Sequence, residues 1–162
     1  MSPERLEQRA RNVLLHQLAR AAKSAHQLRE VMVKREIPEE VFEPIIQRFI
    51  EVGLIDDLAF AETIVAARRS IKKVSRSAIR RELAQKGVAA EIIERVLEPI
   101  DAEAEMQAAT ELAIKRLRQL GGLPPEVVRR RLVGFLSRKG YASGVVFASI
   151  KVAEAEALKL DS

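Results

Sequence analysis

A chain of 162 residues with 28 basic and 23 acidic side chains carries a formal net charge of +5, and 48% of its residues are hydrophobic, enough to build a core. It has no cysteine and no tryptophan, which excludes a disulfide framework and any thiolate metal site and points to a cytoplasmic setting. Residues 1–9 hold four charges and a proline, unlike a secretory leader, and no run approaches the roughly 18 to 20 apolar residues of a membrane span.

The helical pattern begins at once. Ser2 or Pro3 opens a first helix running to about Ala22, with Leu6, Ala10, Val13, Leu14 and Leu18 as its apolar stripe. Ser24 with Gln27 reads as a capping box for the second. Ile37-Pro38-Glu39-Glu40 ends that helix and starts the third, its acids facing the positive end of the helix dipole. After the break at Gly53-Leu54-Ile55, Asp56 or Asp57 caps a fourth helix containing Phe60, Ile64 and Val65. Ser75 or Ser77 starts the fifth, which Gly87 ends, and Glu91 to Glu98 form a short sixth. Asp101 starts a long seventh that stops at Gly121-Gly122. Pro124-Pro125 precede the eighth, Gly140 terminates it, and Ser143 caps the ninth. No stretch alternates with the period of a strand.

Three markers divide this run. Arg35-Glu36-Ile37, Lys86-Gly87-Val88 and Lys139-Gly140-Tyr141 lie 51 and 53 residues apart. Upstream of them Leu28 and Met32, Ile79 and Leu83, and Leu132 and Leu136 fall into register; downstream so do Val41 and Phe42, Ile92 and Ile93, and Val145 and Val146. A period of this length signals stacked supersecondary units, none of which buries its apolar face alone. The expected fold is all-α, with three tandem three-helix repeats at 1–53, 54–99 and 100–162. Function is then to be sought on surfaces, not in one pocket.

Charge follows the repeats in blocks. Residues 66–88 hold Arg68, Arg69, Lys72, Lys73, Arg76, Arg80, Arg81 and Lys86 against Glu82 alone, for +7. Residues 115–139 hold Lys115, Arg116, Arg118, Arg129, Arg130, Arg131, Arg138 and Lys139 against Glu126, again +7. Between them residues 89–114 carry −6, and the first 65 residues carry −2. The basic zones suit a polyanion and the acidic helices a basic protein surface. At about 100° per residue, Val128, Leu132, Phe135 and Leu136 share one side of the eighth helix, with Arg130, Arg131 and Arg138 opposite and Gly134 among them. Gly134 either admits a neighbouring helix or lets a phosphate come close. In the fifth helix Ile79 and Leu83 are core and Arg81 faces away. Arg76 and Arg80 sit at the core's edge, where their stems can cover apolar surface.

Other chemistry is poorly supported. Asp56-Asp57 offer too few oxygens for a hard cation and read as a helix start. His16 and His26 lack metal-ligand spacing, and Gly121-Gly122 lacks the pattern of a nucleotide loop. No nucleophile–base or paired-carboxylate arrangement emerges. The expectation is a non-enzyme with no catalytic residue, no metal and no cofactor.

Specific segments resemble a known family. Gly53-Leu54-Ile55-Asp56-Asp57-Leu58-Ala59-Phe60-Ala61 looks like a signature of the RecX family, regulators of the bacterial RecA recombinase. Ile79-Arg80-Arg81-Glu82-Leu83-Ala84-Gln85-Lys86-Gly87-Val88 resembles its second-repeat segment, and Phe135-Leu136-Ser137-Arg138-Lys139-Gly140-Tyr141 its third. Arg20-Ala21-Ala22-Lys23-Ser24-Ala25-His26-Gln27-Leu28 matches the first more loosely. The likeness covers about residues 10 to 152. It departs at Gln27, where the family usually has Glu, at Arg35-Glu36, in place of a Lys-Gly turn, and at Val74-Ser75, in place of a usual Gly.

The resemblance implies an elongated, curved monomer of three three-helix repeats in the bacterial cytoplasm. It also implies binding in the groove of the RecA–DNA filament, over single- or double-stranded DNA without sequence preference. ATP hydrolysis, strand exchange and co-protease activity would then be suppressed. The residues assigned to that contact are Arg68, Arg69, Lys72, Lys73, Arg76, Arg80, Arg81, Lys86, Arg129, Arg130, Arg131, Arg138 and Lys139. The alternative is a tandem helix-turn-helix reader of the Myb or homeodomain kind. Against it, residues 89–98 hold three Glu and one Arg, and 142–153 place only Lys151 before any base edge. A helical scaffold that binds a peptide is a third reading.

Overall fold

The computed structural model describes residues 1–161. Its regular elements are all helices: α1 (Pro3–Arg20), α2 (Ala25–Lys34), α3 (Glu39–Glu51), α4 (Asp57–Ser70), α5 (Arg76–Gln85), α6 (Ala90–Leu97), α7 (Ala102–Gln119), α8 (Pro125–Arg138) and α9 (Ser143–Asp161). They follow the expected order, three per repeat.

Three helices differ from expectation at their ends. α1 stops at Arg20 because Ala21 turns to extended backbone, with φ −165°. α6 begins and ends one residue early. Glu98 precedes Pro99, and the proline ring drives its predecessor out of the helical region. Ser143 is the first residue of α9 and not its cap, since the Val146 N–H bonds to the Ala142 carbonyl at 2.9 Å.

The open choices also resolve. Asp56 caps α4, accepting from the Ala59 N–H at 3.1 Å. Ser75, not Ser77, caps α5 by accepting from the Ala78 N–H at 3.1 Å. Ser24 and Gln27 close the full capping box at the head of α2.

The three sequence markers are one backbone device. After α2 the Glu36 N–H bonds to the Val33 carbonyl and the Ile37 N–H to Met32, both at 3.0 Å. After α5, Gly87 bonds to Ala84 and Val88 to Leu83, again at 3.0 Å. After α8, Gly140 bonds to Ser137 at 3.0 Å and Tyr141 to Leu136 at 3.3 Å. Each is a Schellman ending, which turns the chain through a left-handed residue and seats the next side chain on the helix it leaves. Ile37, Val88 and Tyr141 are accordingly buried, as are Met32, Leu83 and Leu136. Gly87 and Gly140 take φ of 78° and 98° without penalty, while Glu36 holds φ 58° with a side chain attached.

The helices gather into two compact units that cut across the repeats. The first joins Met1–Ile64 to Glu82–Val96, and the second joins Val65–Arg81 to the chain from Leu97 onward. The core of the first includes Leu14, Leu28, Met32, Phe42, Ile46 and Ile55. That of the second includes Ala109, Leu112, Leu132, Leu136, Tyr141 and Ile150.

Candidate nucleic-acid interface

A repeated junction positions the basic residues. In the first unit the buried Ser24 hydroxyl accepts from the Gln27 N–H and donates to the Lys86 carbonyl. Beside it the Ala25 N–H donates to Asp57 Oδ1 at 2.9 Å. The second unit repeats the arrangement 51 residues on. Ser75, 1% exposed, donates its N–H to the Lys139 carbonyl at 3.0 Å, and the Arg76 N–H donates to Glu105 Oε1 at 3.1 Å. In both, the serine that opens one repeat's second helix donates to the turn of the next, through its hydroxyl at Ser24 and its N–H at Ser75, and a carboxylate takes the following free N–H. The fit is close. A Cβ on Gly87 would stand 2.2 Å from His26 Cβ, and one on Gly140 2.3 Å from Ser75 Oγ.

Charge divides unequally between the units. The second holds 17 basic against 9 acidic residues, or +8, and the first holds 11 against 14, or −3. All the expected contact residues except Lys86 belong to the second unit, so two basic segments far apart in sequence enter one body.

Their surroundings separate them into two kinds. Arg69 is largely buried and donates to Glu105 at 2.7 Å, to the Val74 carbonyl at 3.0 Å and to the Ala104 carbonyl at 3.3 Å. Arg76 Nε donates to the Leu97 carbonyl at 3.1 Å. Lys73 pairs with Glu111 at 2.9 Å, a hydrogen bond that holds the Glu111 carboxyl below its usual range. Arg129 pairs with Glu154 and Lys86 with Glu82, both at 2.6 Å, and Lys86 also lies over the Phe60 ring. Arg68 and Arg80 are half-buried and have partners of their own. Apart from Arg129, whose pair with Glu154 lies exposed on the surface, these side chains have structural work.

The others face solvent. Arg81, Arg130, Arg131, Arg138 and Lys72 are exposed, and no carboxylate among the described residues pairs with them. Lys139 lies beside them, its Nζ donating to the Lys72 carbonyl at 2.8 Å and resting 5.7 Å from the Phe135 ring centre. Burial lowers the Lys139 ammonium from its ordinary range, and the charge of Lys72 lowers it further. Two cations without a counter-ion favour an anion between them. On α8, Arg130, Arg131 and Arg138 share the outer face, and the Arg138 guanidinium lies back over Gly134, 3.0 Å from where a Cβ would be. No neighbouring helix approaches that glycine. Gly134→Ala therefore has only a flexible side-chain end to displace. It is expected to add up to about 1 kcal/mol of stability, a rise of roughly 2–4 °C in Tm, measurable by calorimetry.

The loop carrying Lys72 and Lys73 is pinned twice, by Lys139 and by the Tyr141 hydroxyl, which donates to the Lys73 carbonyl. Lys73 itself takes φ 49°. Burial pushes the Tyr141 hydroxyl up to about 12. A raised acid pKa means the fold prefers the neutral phenol, so this stabilisation is complete below pH 10 and is lost as pH climbs through about 12. Tyr141 is the one tyrosine and there is no tryptophan, so phenolate absorbance reads it alone. Its titration should centre near 12 in the folded chain and return to about 10 in denaturant.

The remaining motifs carry no site. Asp56 and Asp57 serve helix ends, and His26 pairs with Glu30 at 2.6 Å. Among the described residues no group of His, Asp and Glu is placed to hold a metal, and no helix is long and apolar enough to cross a membrane. The helices after the second and third turns expose Glu91, Glu94 and Arg95 on α6 and Lys151, Glu156, Lys159 and Asp161 on α9, more acids than bases and so a poor set for reading base edges. Composition and wheels could identify the basic faces. They carried no signal for the junctions, whose partners lie 29 to 64 residues apart in sequence.

Three family models match the chain in order: RecX first three-helix domain at 10–49, second three-helix domain at 56–97 and third three-helix domain at 103–150. Regulatory protein RecX of Thermobifida fusca is 37% identical over 161 residues, covering 99% of this chain and 87% of the relative. That of Streptomyces coelicolor is 40% identical over 146 residues, covering 90% and 78%. A crystal structure of regulatory protein RecX superposes with a TM-score of 0.75 at 26% identity, over 92% of this chain and 73% of the other. RecX from Lactobacillus salivarius shares the fold, with a TM-score of 0.79 at 18% identity over 94% and 99%.

Proposed function

Since the chain belongs to the RecX family, we propose that it regulates the RecA recombinase, mainly as an inhibitor. It binds as a monomer in the groove of the RecA–DNA filament and suppresses ATP hydrolysis, strand exchange and co-protease activity. It does so in the bacterial cytoplasm, without catalysis or cofactor. The observation that supports this most is the second unit's charge of +8 with Lys72, Arg81, Arg130, Arg131 and Arg138 unpaired on its surface. Phosphate contacts of that kind bind without reading sequence. The paired residues Arg69, Arg76 and Lys73 hold the junction that presents them.

The test is RecA's ATPase on single-stranded DNA with this protein at substoichiometric amounts. A steep loss of activity is expected. The variant Arg130→Glu with Arg138→Glu should inhibit far less while keeping its helical circular dichroism. Full inhibition by that variant would overturn the assigned surface, and an unaffected ATPase with the parent chain would overturn the function.

A further inference from the structure

The turn on which each later repeat receives its predecessor also exists in the first repeat, with its chemistry changed. The Arg35 carbonyl, equivalent to those of Lys86 and Lys139, takes a hydrogen bond from the Arg9 guanidinium of its own repeat at 3.2 Å. Beside it opens a cleft of about 460 Å3 lined by Arg5, Gln8, Arg9, Asn12, His16 and Arg35. The second and third repeats place a carboxylate here, Asp57 and Glu105, in the first turn of α4 and α7. The first turn of α1 also has a carboxylate, Glu4, but the residues that line the cleft are Arg5 and, one turn on, Arg9. The left-handed glycine of the other two turns is Glu36.

Those changes exclude the ligand the other turns accept. A Cβ at Gly87 would meet His26 Cβ at 2.2 Å, so the Cβ of Glu36 blocks a helix seated in the same way. Arginines also oppose the positive end that such a helix would bring. The cleft suits an anion. Arg5 and Arg35 are exposed and their guanidinium groups have no carboxylate partner among the described residues, and a guanidinium fork matches a carboxylate in two parallel hydrogen bonds.

We propose that this cleft binds an acidic peptide segment of a protein partner. The surrounding unit carries −3, which repels an extended polyphosphate but leaves a local cationic cleft able to take one or two carboxylates. The inference stands on the first unit alone and does not depend on the filament reading.

The probe is an acetylated and amidated diglutamate peptide titrated into the full chain, with the imidazole resonances followed by NMR. The chain has two histidines, His16 in the cleft and His26 at the Gly87 junction, so each signal reports one place. His16 should shift saturably while His26 stays still. Arg5→Gln combined with Arg35→Gln, both at exposed positions, should raise the Kd for that shift by about tenfold or more. An unmoved His16, or an unchanged Kd in the double variant, would overturn the proposal. So would a thymidine oligonucleotide that saturates the His16 shift at lower concentration than the peptide.

Discussion

Gly87→Ala is expected to cost about 3 kcal/mol or more, whereas Gly122→Ala, at a similar backbone angle, should cost only about 1–2. Gly87 and Gly122 have φ of 78° and 92°, so a side chain strains both. The difference is what stands nearby. Around Gly122 a Cβ would meet nothing within 4 Å, while at Gly87 it would overlap His26 Cβ at 2.2 Å and Cγ at 2.3 Å. These are atoms close to the backbone of α2, which cannot swing aside. Relief requires the α2 end to move off the turn. That would break the Ser24 bond to Lys86 and leave the Ser24 O–H without an acceptor and the Lys86 carbonyl without this donor, at about 1–3 kcal/mol. Chemical denaturation of both variants measures the gap. Equal losses would mean that the junction yields easily and is not a fixed part of the fold.

The second large effect separates the two kinds of arginine. Replacing Arg130, Arg131 and Arg138 together by glutamine should leave stability within about 0.5 kcal/mol, as for most exposed sites. DNA affinity should fall on the order of a hundredfold, at about 1 kcal/mol for each lost charge-assisted contact. The slope of log K against log salt should shrink by roughly 2–3, near 0.9 for each phosphate released. Arg69→Gln should behave in the opposite way. It leaves Glu105, 18% exposed, without its charged partner and frees the carbonyls of Val74 and Ala104, so stability falls by about 2–3 kcal/mol with the salt slope unchanged. Fluorescence anisotropy over a salt series, beside a melt of each variant, checks both. A salt slope unmoved by the triple substitution would remove α8 from the interface.

Local signals explain how much of this could be read in advance. Ser24-Gln27, Pro38, Asp101 and Pro124 act within a few residues of themselves, so their helix starts were legible. The left-handed turns were legible at Gly87 and Gly140, and at Glu36 only because the period demanded a third. What failed locally was fine competition: Pro99 shortening α6 at its end, or Ala142 taking the place assigned to Ser143. The basic blocks were plain in composition, but their division into paired and unpaired side chains was not. Arg69 and Arg130 are alike as residues, and a carboxylate 36 positions away decides that one is structural. The wheel placed Arg76 near the core without naming the Leu97 carbonyl it bonds. Such partners are set by stacking of repeats, which has no short-range signature.

The interleaving of the two units has a consequence for the order in which the chain is made. Residues 1–64 are joined in their unit by 82–96, with a segment of the other unit between them. A ribosome releases the N-terminal end first, and domains fold as they emerge. This first unit nevertheless stays incomplete until Val96 has cleared the exit tunnel. Until then the Ser24 hydroxyl has no Lys86 carbonyl to meet, and the face of α2 around it remains wet. Neither unit matures on a single contiguous stretch of nascent chain. A pause in translation between residues 64 and 96 would therefore hold the first unit open, and a protease sampling arrested chains would find its protected fragment only once residue 96 is out.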